Sequence, residues 1–343
     1  MSAMNLDGRQ AHGNVLQREV GFVVIGRNEG ERLKRCLHSV LADSTKVVYV
    51  DSGSVDGSVE HARSVGVDVV VLDASTPFSA ARARNAGFAT LLSAWPSVEF
   101  VQFIDGDCEL VSGWIDAACD LLVAQPVYAA VAGRREERDP ESTVYNRLCD
   151  IEWNTPVGDA AATGGDFLVR VQAFREVDGF SPVVVAGEEP DLCYRLAKNG
   201  WKIRRMDERM TIHDARMTRV SQWWRRASRA GHAYIHGFVL HMGDGEGYYR
   251  KQAANSWFWA LGLPVSVLVT TLIFGPAALL LLLAYPLQIF RIAVRERLRC
   301  GGARNALIYG AFVMLAKWPQ LVGQLRFLRR RLFRRSITII EHR

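Results

Sequence analysis

The sequence predicts an α/β fold with a mostly parallel sheet, followed by a C-terminal helical hairpin in a membrane. Short apolar runs alternate with helical stretches from about residue 21 to residue 105, as in βαβ units whose sheet is covered on both faces. Residues 257–290 contain no Asp, Glu, Lys or Arg, which is typical of membrane segments. A composition of 49% hydrophobic and 23% charged residues excludes a disordered or fibrous chain.

We predict three regions in the 343-residue chain. Residues 1–20 are polar and form a flexible N-terminus; they lack an apolar core of signal-peptide length, so we expect the following domain to stay in the cytosol. Residues 21–240 form the α/β domain, and residues 241–343 form the membrane-associated region. The six cysteines show no C-x-x-C spacing, so reduced thiols are expected rather than a zinc site or a disulfide scaffold.

Three apolar runs of the second region, residues 21–240, end at a glycine or an aspartate. Residues 22–25 lead to Gly26, residues 47–50 to Asp51, and residues 100–104 to Asp105, with helices between them. Ligands of open parallel sheets bind at the carboxyl ends of the strands. We therefore expect Asp51 and Asp105 to face a common binding site.

Two carboxylates stand one residue apart at Asp105 and Asp107, with Gly106 between them. Such a pair can face one divalent cation, and Mg²⁺ or Mn²⁺ takes one or two carboxylates together with water and substrate phosphates. A calcium loop is excluded because its sixth position would be Leu110 instead of glycine.

Residues 51–58 form a turn rich in glycine and serine, in which Asp51 can accept hydrogen bonds from a ribose or a base. We expect Asp56 to cap the helix that follows. Residues 26–30 lack the third glycine of the dinucleotide fingerprint, which disfavours a nicotinamide enzyme.

These motifs together resemble the family-2 glycosyltransferases of GT-A fold. An apolar strand precedes Arg27-Asn28-Glu29, residues 50–58 read Val-Asp-Ser-Gly-Ser-Val-Asp-Gly-Ser, and residues 105–107 read Asp-Gly-Asp. An acidic cluster at residues 187–192 resembles the segment in which the family keeps its catalytic base. The resemblance covers roughly residues 20–240.

The resemblance implies roles for the acidic residues. Asp51 would hold the nucleoside with Glu29 nearby, and Asp107, helped by Asp105, would bind the metal on the diphosphate. Glu189 stands at the base position, and the assignment among Glu188, Glu189 and Asp191 stays open. We expect Pro190 to begin a helix whose dipole keeps the preceding carboxylates ionised. Asp191 and Arg195, four residues apart, are expected to form an ion pair.

Further roles follow from the same resemblance. His213 would contact the metal or diphosphate. A helix near the donor would carry Arg82, Arg84 and Asn85, with Arg82 and Asn85 on one face and Arg84 directed elsewhere. Gly165 and Asp166 would lie at the acceptor. Trp223, Trp224 and Arg225 resemble, in altered order, a motif that clamps acceptor and diphosphate in processive synthases; a Trp-Arg helix in lipid headgroups is the alternative.

The hairpin is predicted to break near residues 274–276, giving two spans with both ends in the cytosol because positive residues flank both sides. One tilted span or a re-entrant pair is the alternative. We expect residues 306–327 to form an interfacial amphipathic helix, with a third span as the alternative. Residues 291–343 hold 13 Lys and Arg against 2 Asp and Glu. We therefore expect the tail at 329–343 to contact anionic lipids, and a solvated tail is the alternative. Nucleic acid is not an expected partner.

The sequence thus predicts a metal-dependent, inverting transferase at a bacterial-type inner membrane, with its catalytic domain in the cytosol. Its donor would be a nucleotide-sugar, most often a UDP-sugar in such a family, and its acceptor a lipid-linked sugar or a surface glycan. Two alternatives are a nucleotidyltransferase and a non-catalytic membrane adaptor that retains the fold.

Overall fold

The computed structural model describes residues 19–245 and 247–333. Within them nine strands form one sheet in the order β3-β2-β1-β4-β8-β6-β9-β5, with β7 paired to β9. The strands β1 to β9 are Val20–Gly26, Val47–Asp51, Asp68–Val71, Phe100–Asp105, Cys108–Leu110, Tyr128–Glu137, Gly158–Asp159, Phe167–Arg170 and Lys202–His213. The helices α1 to α13 are Glu31–Leu41, Ser58–Ser64, Ala80–Ala94, Trp114–Ala124, Val144–Trp153, Val171–Glu176, Glu188–Lys198, Val220–Leu240, Arg250–Trp257, Leu263–Phe274, Ala284–Glu296, Ala303–Leu315 and Lys317–Leu332.

The first four strands of the sheet order are parallel, as predicted, and their carboxyl ends meet at one edge. In β1, Gly26 pairs with Asp51 of β2, and Ile25 pairs with Asp105 of β4. Strands β1, β2 and β4 are buried on both faces, which explains their continuous apolar runs. A Cβ on Gly87 of α3 would overlap Val23, so this glycine lets α3 lie directly on the sheet.

The second half of the sheet combines antiparallel and parallel pairing. Strand β8 runs antiparallel to both β4 and β6, and the long strands β6 and β9 are parallel. Glu137 at the end of β6 pairs with His213 at the end of β9. This pairing brings two chemically active side chains to the edge where Asp105 ends β4.

Helix α7 begins two residues earlier than the sequence predicted. Gly187 precedes it with a φ of 80°, a left-handed conformation that favours glycine. Glu188 and Glu189 therefore lie in the first turn of the helix, and Pro190 follows inside that turn. In α2 the capping position is Gly57, one residue after the predicted cap Asp56. Asp56 still accepts hydrogen bonds from the backbone N–H and the hydroxyl of Ser58.

The C-terminal region contains three helical segments that are long and apolar enough to cross a membrane: Arg250–Phe274, Pro276–Glu296 and Ala303–Leu332. The predicted break is present at Gly275, which has a φ of 81°, although the two flanking segments extend beyond residues 257–290. The third segment covers the predicted amphipathic helix. In an apolar stretch of 18 residues, 39% of its residues are buried, against 17% and 11% for the corresponding stretches of the first and second segments. Residues 1–18 and the tail from residue 334, including Arg334 and Arg335, lie outside the described residues.

The third segment is buried because α13 packs closely against α8. A Cβ on Gly231 of α8 would overlap the backbone carbonyl of Gln320, and a Cβ on Gly323 of α13 would overlap that of Ser228. The absence of side chains at these two positions lets the helix backbones touch. Helix α8 is thus joined directly to the C-terminal helices.

We predict that Gly231→Ala destabilises the protein by about 1 to 3 kcal/mol, because the added methyl group must push α13 away from α8. The measurement is thermal unfolding of the purified protein in detergent. Gly243→Ala is the control, since a Cβ at Gly243 meets open space. Equal unfolding temperatures for the two variants would show that the helices do not pack as described.

Candidate active site

Two adjoining clefts lie at the carboxyl edge of the sheet. The larger has a volume of about 960 Å³ and the smaller about 270 Å³. Five residues line both clefts: Glu29, Ala80, Asp105, Asp107 and Arg229. The predicted acidic pair therefore stands where the two clefts meet, and a single ligand can extend from one into the other.

The two carboxylates of the acidic pair differ in how closely arginines approach them. Asp105 faces two guanidinium groups, with Oδ1 2.8 Å from Arg84 Nη2 and Oδ2 3.3 Å from Arg135 Nη1. Asp107 Oδ2 lies 3.5 Å from His213 Nε2, and Asp107 Oδ1 lies 3.8 Å from Arg135 Nη2. A carboxylate with only a distant arginine is better placed to bind Mn²⁺ or Mg²⁺ than one paired closely with two arginines, and the imidazole nitrogen beside it can act as a further metal ligand.

In the described ranges no group of three or more His, Cys, Asp and Glu side chains could hold a metal ion by itself. Asp107 and His213 nevertheless fit a cation that takes its other ligands from water and substrate phosphates, which is how Mg²⁺ is usually bound. Burial would raise the pKa of Asp107, but His213 and Arg135 hold it well below its usual range. Burial and Arg135 oppose protonation of His213, whereas Asp107 and Glu137 raise its pKa.

Glu137 is a residue of this site that the sequence did not reveal. Its side chain is only 1% exposed, and Oε2 lies 2.7 Å from His213 Nδ1. It stands 76 positions before His213 in the chain, so no local spacing links the two. Only the parallel pairing of β6 with β9 brings them together.

Arg84 joins the acidic pair to helix α7. Its guanidinium is buried, and it lies 2.8 Å from Asp105, 3.3 Å from Glu188 and 2.9 Å from Glu189. A Cβ on Gly165 would overlap the Asp105 carboxylate, so glycine at this position leaves room for the cluster. Three carboxylates from two parts of the fold therefore share one cation.

Burial, followed by the charge of Glu188, raises the pKa of Glu189 to about 7, while Arg84 opposes the shift. The helix dipole favours the ionised form, as expected at the start of α7, but at Glu189 burial and a neighbouring like charge outweigh it. A carboxylate with a pKa near 7 can accept a proton at neutral pH and hold it afterwards.

The Asp191 side chain forms ion pairs that hold α7 in place. Its carboxylate forms the predicted ion pair with Arg195 at 2.9 Å and also contacts His241 Nε2 at 2.7 Å. It does not line either cleft. Of the three candidate bases, Glu188 and Glu189 face the larger cleft and Asp191 does not.

The orientation predicted for α3 is wrong. Arg84, expected to point elsewhere, faces the cleft, whereas Arg82 donates to the carbonyl oxygens of Asp73 and Thr76. Asn85 forms two hydrogen bonds with the backbone of Phe180. The reason is that Gly87 sets the face of α3 that lies on the sheet, and Ala80 and Arg84 then share the face towards the cleft.

Asp51 has a different role from the one predicted. Its carboxylate is 1% exposed and accepts hydrogen bonds from the Tyr49 hydroxyl and from the backbone N–H groups of Gly53 and Ser54. It holds the turn after β2, and Ser52 of that turn lines the smaller cleft. Glu29 lines both clefts and pairs with Arg32.

Asp166 also differs from the prediction. Gly165 lines the larger cleft, but Asp166 is fully buried. Its carboxylate accepts from the backbone N–H of Asp105 and the hydroxyl of Thr211. It therefore fixes the end of β4 instead of contacting an acceptor.

The residues of α8 that line the larger cleft are not those predicted to contact the acceptor. Trp223 is buried against Phe312, Trp224 is 39% exposed, and Arg225 does not line either cleft. The larger cleft is instead lined by Gln222, Arg226, Arg229, Ala230, Ala233 and Tyr234, which share one face at helical spacing. That spacing, counted from Gln222, is the signal that could have identified Arg226 and Arg229.

Comparisons with known proteins agree with this geometry. A family model described as glycosyl transferase family 2 matches residues 22–173. The pre-mycofactocin glycosyltransferase of Mycobacterium tuberculosis is 29% identical over 228 residues, covering 62% of this chain and 46% of that protein. The succinoglycan biosynthesis protein ExoA of Rhizobium meliloti is 25% identical over 190 residues, covering 53% and 57%. The chain spans about half the length of the curated relatives it matches.

Two solved structures share the fold. The mannosyltransferase PcManGT from Pyrobaculum calidifontis, in complex with GDP-Man and Mn²⁺, has a TM-score of 0.60 at 19% identity and covers 90% of this chain and 88% of its own. GalNAc-T7 with UDP, GalNAc and Mn²⁺ has a TM-score of 0.50 at 15% identity, covering 73% and 52%. These similarities confirm the predicted GT-A fold.

We predict that Arg84→Gln destabilises the protein by roughly 3 to 5 kcal/mol, because three carboxylates then lose their buried cation. Arg82→Gln, two residues away, changes a partly exposed side chain and should shift stability by about 0.5 kcal/mol or less. Urea unfolding of the purified protein measures both. A loss for Arg82→Gln as large as that for Arg84→Gln would contradict the described cluster.

Proposed function

The chain carries a glycosyl transferase family 2 domain, and we propose that this domain transfers a sugar from a nucleotide-sugar to an acceptor hydroxyl. The donor is a UDP-sugar in the first instance, and Mn²⁺ or Mg²⁺ assists. One observation supports this most strongly: a carboxylate with a pKa of about 7, Glu189, shares a cleft with the Asp107–His213 pair. A base and a cation site in one cleft are what such a transfer needs.

The smaller cleft suits the nucleoside of the donor. Ser52, Phe78 and the backbone around Gly26 line it, which provides an aromatic face and small residues at a strand end. The diphosphate would then lie at the junction of the clefts, held by Asp107 and His213 through the metal. A bound metal supplies positive charge that offsets the charge developing on the departing nucleoside diphosphate.

Arg229 adds a second cation at this junction. It lines both clefts, and the Glu188 carboxylate is 4.0 Å from its Nη2 atom. The other arginines near the acidic pair have closer carboxylates: Arg84 faces Asp105, and Arg226 lies 2.7 Å from Glu152. Arg229 is therefore the guanidinium on α8 best placed to contact a phosphate oxygen.

The acceptor would occupy the larger cleft, where Glu189 faces it. The acceptor oxygen attacks the anomeric carbon as its proton passes to Glu189, and the bond from that carbon to the diphosphate oxygen breaks. The attack and the departure take place on opposite faces, so a single displacement inverts the configuration. Arg84 keeps Glu189 in place while Glu188 and burial maintain its basicity.

We predict that Glu189→Gln lowers kcat by about 10² to 10⁴-fold, because an amide cannot accept the proton. In the wild type, kcat should rise with pH through about 7 and then level off, since the base must be deprotonated to act. The assay measures release of the nucleoside diphosphate with Mn²⁺ present. Glu188→Gln is the comparison, and it should retain the greater share of activity.

The same experiment separates the alternative functions. A non-catalytic adaptor would show no turnover in the wild type and no effect of Glu189→Gln on a cellular phenotype. A rise of kcat near pH 7 that persists in Glu189→Gln would show that another group is the base. A nucleotidyltransferase is disfavoured because residues 26–30, Gly-Arg-Asn-Glu-Gly, are a poor version of the glycine-rich phosphate loop with a Lys or Arg that such an enzyme carries near its first strand.

We propose that the enzyme acts at the cytosolic face of an inner membrane, on a lipid-linked or surface-glycan acceptor. Tyr249 lines the larger cleft and directly precedes the apolar segment Arg250–Phe274, so an acceptor held in the membrane can reach the cleft. Arg329, Arg330 and Arg331 end α13 and would contact anionic lipids.

For the membrane proposal, we expect the full chain to remain in the membrane fraction after an alkaline carbonate wash, because two largely unburied apolar segments require lipid. Immunoblotting of pellet and supernatant measures the distribution. A known peripheral membrane protein in the same sample provides the control. Release of the chain together with that control would contradict the two spans.

A further inference from the structure

Glu137 is a buried carboxylate whose two oxygens both have partners. Oε2 lies 2.7 Å from His213 Nδ1, and Oε1 accepts the backbone N–H of Ala215 at 2.9 Å. The side chain is 1% exposed. Glu137 is too deep to reach a substrate, since it does not line either cleft.

The contact with Glu137 determines which nitrogen of His213 faces the cleft. An ionised carboxylate only accepts hydrogen bonds, so the hydrogen of the imidazole lies on Nδ1. In the neutral ring the lone pair is then on Nε2, the nitrogen that lies 3.5 Å from Asp107 Oδ2, so a cation can bind between these two atoms. The ring is therefore held in the orientation and tautomer that a metal ligand needs.

The Trp153 contact of His213 does not determine the tautomer of its ring, whereas the Glu137 contact does. Trp153 contacts the ring of His213 edge-on, with 6.3 Å between ring centroids, which limits its position but cannot select a tautomer. Asp105 is occupied by Arg84 and Arg135. A cation bound by Asp107 would therefore take His213 as its second protein ligand. Its binding would then also depend on Glu137, which orients His213.

We infer that Glu137 is a positioning residue for His213 and thereby sets the affinity of the site for a divalent cation. The inference rests on the proposed function, in which Asp107 and His213 hold the metal. A purely structural role, in which Glu137 only ties the end of β6 to β9, is the competing explanation. The two explanations differ in whether the effect of Glu137 requires His213.

The experiment measures the Kd for Mn²⁺ alone by electron paramagnetic resonance of the free ion, using the full chain purified in detergent. Glu137→Gln should weaken Mn²⁺ binding by about 10 to 100-fold, the usual effect of losing an outer partner of a metal-binding histidine. Glu136→Gln is the matched control, because the neighbouring Glu136 pairs with Arg209 on the surface. It should leave the Kd within about twofold.

A double-mutant cycle with His213→Ala distinguishes the two explanations. If Glu137 acts through His213, Glu137→Gln has no further effect on the Kd once the imidazole is absent. The same fold-loss in both backgrounds, or an unchanged Kd for Glu137→Gln, overturns the inference. Glu137→Asp keeps the charge but shortens the side chain by one carbon; it should give an intermediate loss, and if Glu137→Gln fails to fold, an unchanged Kd in Glu137→Asp overturns the inference.

The outcomes also separate this inference from the function on which it rests. If Asp107→Asn and His213→Ala both leave the Mn²⁺ Kd unchanged, the metal site itself is wrong and the inference falls with it. If those two variants weaken binding and Glu137→Gln does not, only the role of Glu137 is wrong.

Discussion

The site depends on one buried interaction, in which the Arg84 guanidinium is shared by Asp105, Glu188 and Glu189. It connects the end of a sheet strand to the first turn of α7, so it determines how far the base lies from the acidic pair. One cation cannot neutralise three carboxylates. Burial, followed by the charge of Glu188, raises the pKa of Glu189, and the carboxylates gathered here make the cleft attractive to a divalent cation.

Helix α8 extends this arrangement towards the membrane. One face contributes Gln222, Arg226 and Arg229 to the larger cleft, and another face packs against α13 through Gly231. The same helix therefore forms a wall of the active site and supports the C-terminal region. Because Tyr249 follows shortly after this helix, the cleft and the first apolar segment are joined by a short connection, which supports an acceptor that arrives from the lipid.

Much of the fold could be predicted from the sequence because local patterns determine it. Apolar runs ending at Asp51 and Asp105 predicted parallel strands, and Gly275 predicted the break between two apolar helices. Contacts between distant segments could not be predicted in this way. The side of α3 that carries Arg84 depends on how Gly87 lies on the sheet, and the Glu137–His213 contact depends on the register of two long strands. The pKa of Glu189 follows from burial, which no local spacing reports.

The central claim is that Asp107 and His213 hold a cation on the diphosphate of the donor, within reach of Glu189. The most direct measurement is a calorimetric titration of the chain with UDP and with GDP, each with and without Mn²⁺. We expect Mn²⁺ to tighten binding of one of them at least about tenfold, and Asp107→Asn to remove that dependence while the protein stays folded. Binding that is equally tight without Mn²⁺, or a Mn²⁺ effect that survives Asp107→Asn, would contradict the account.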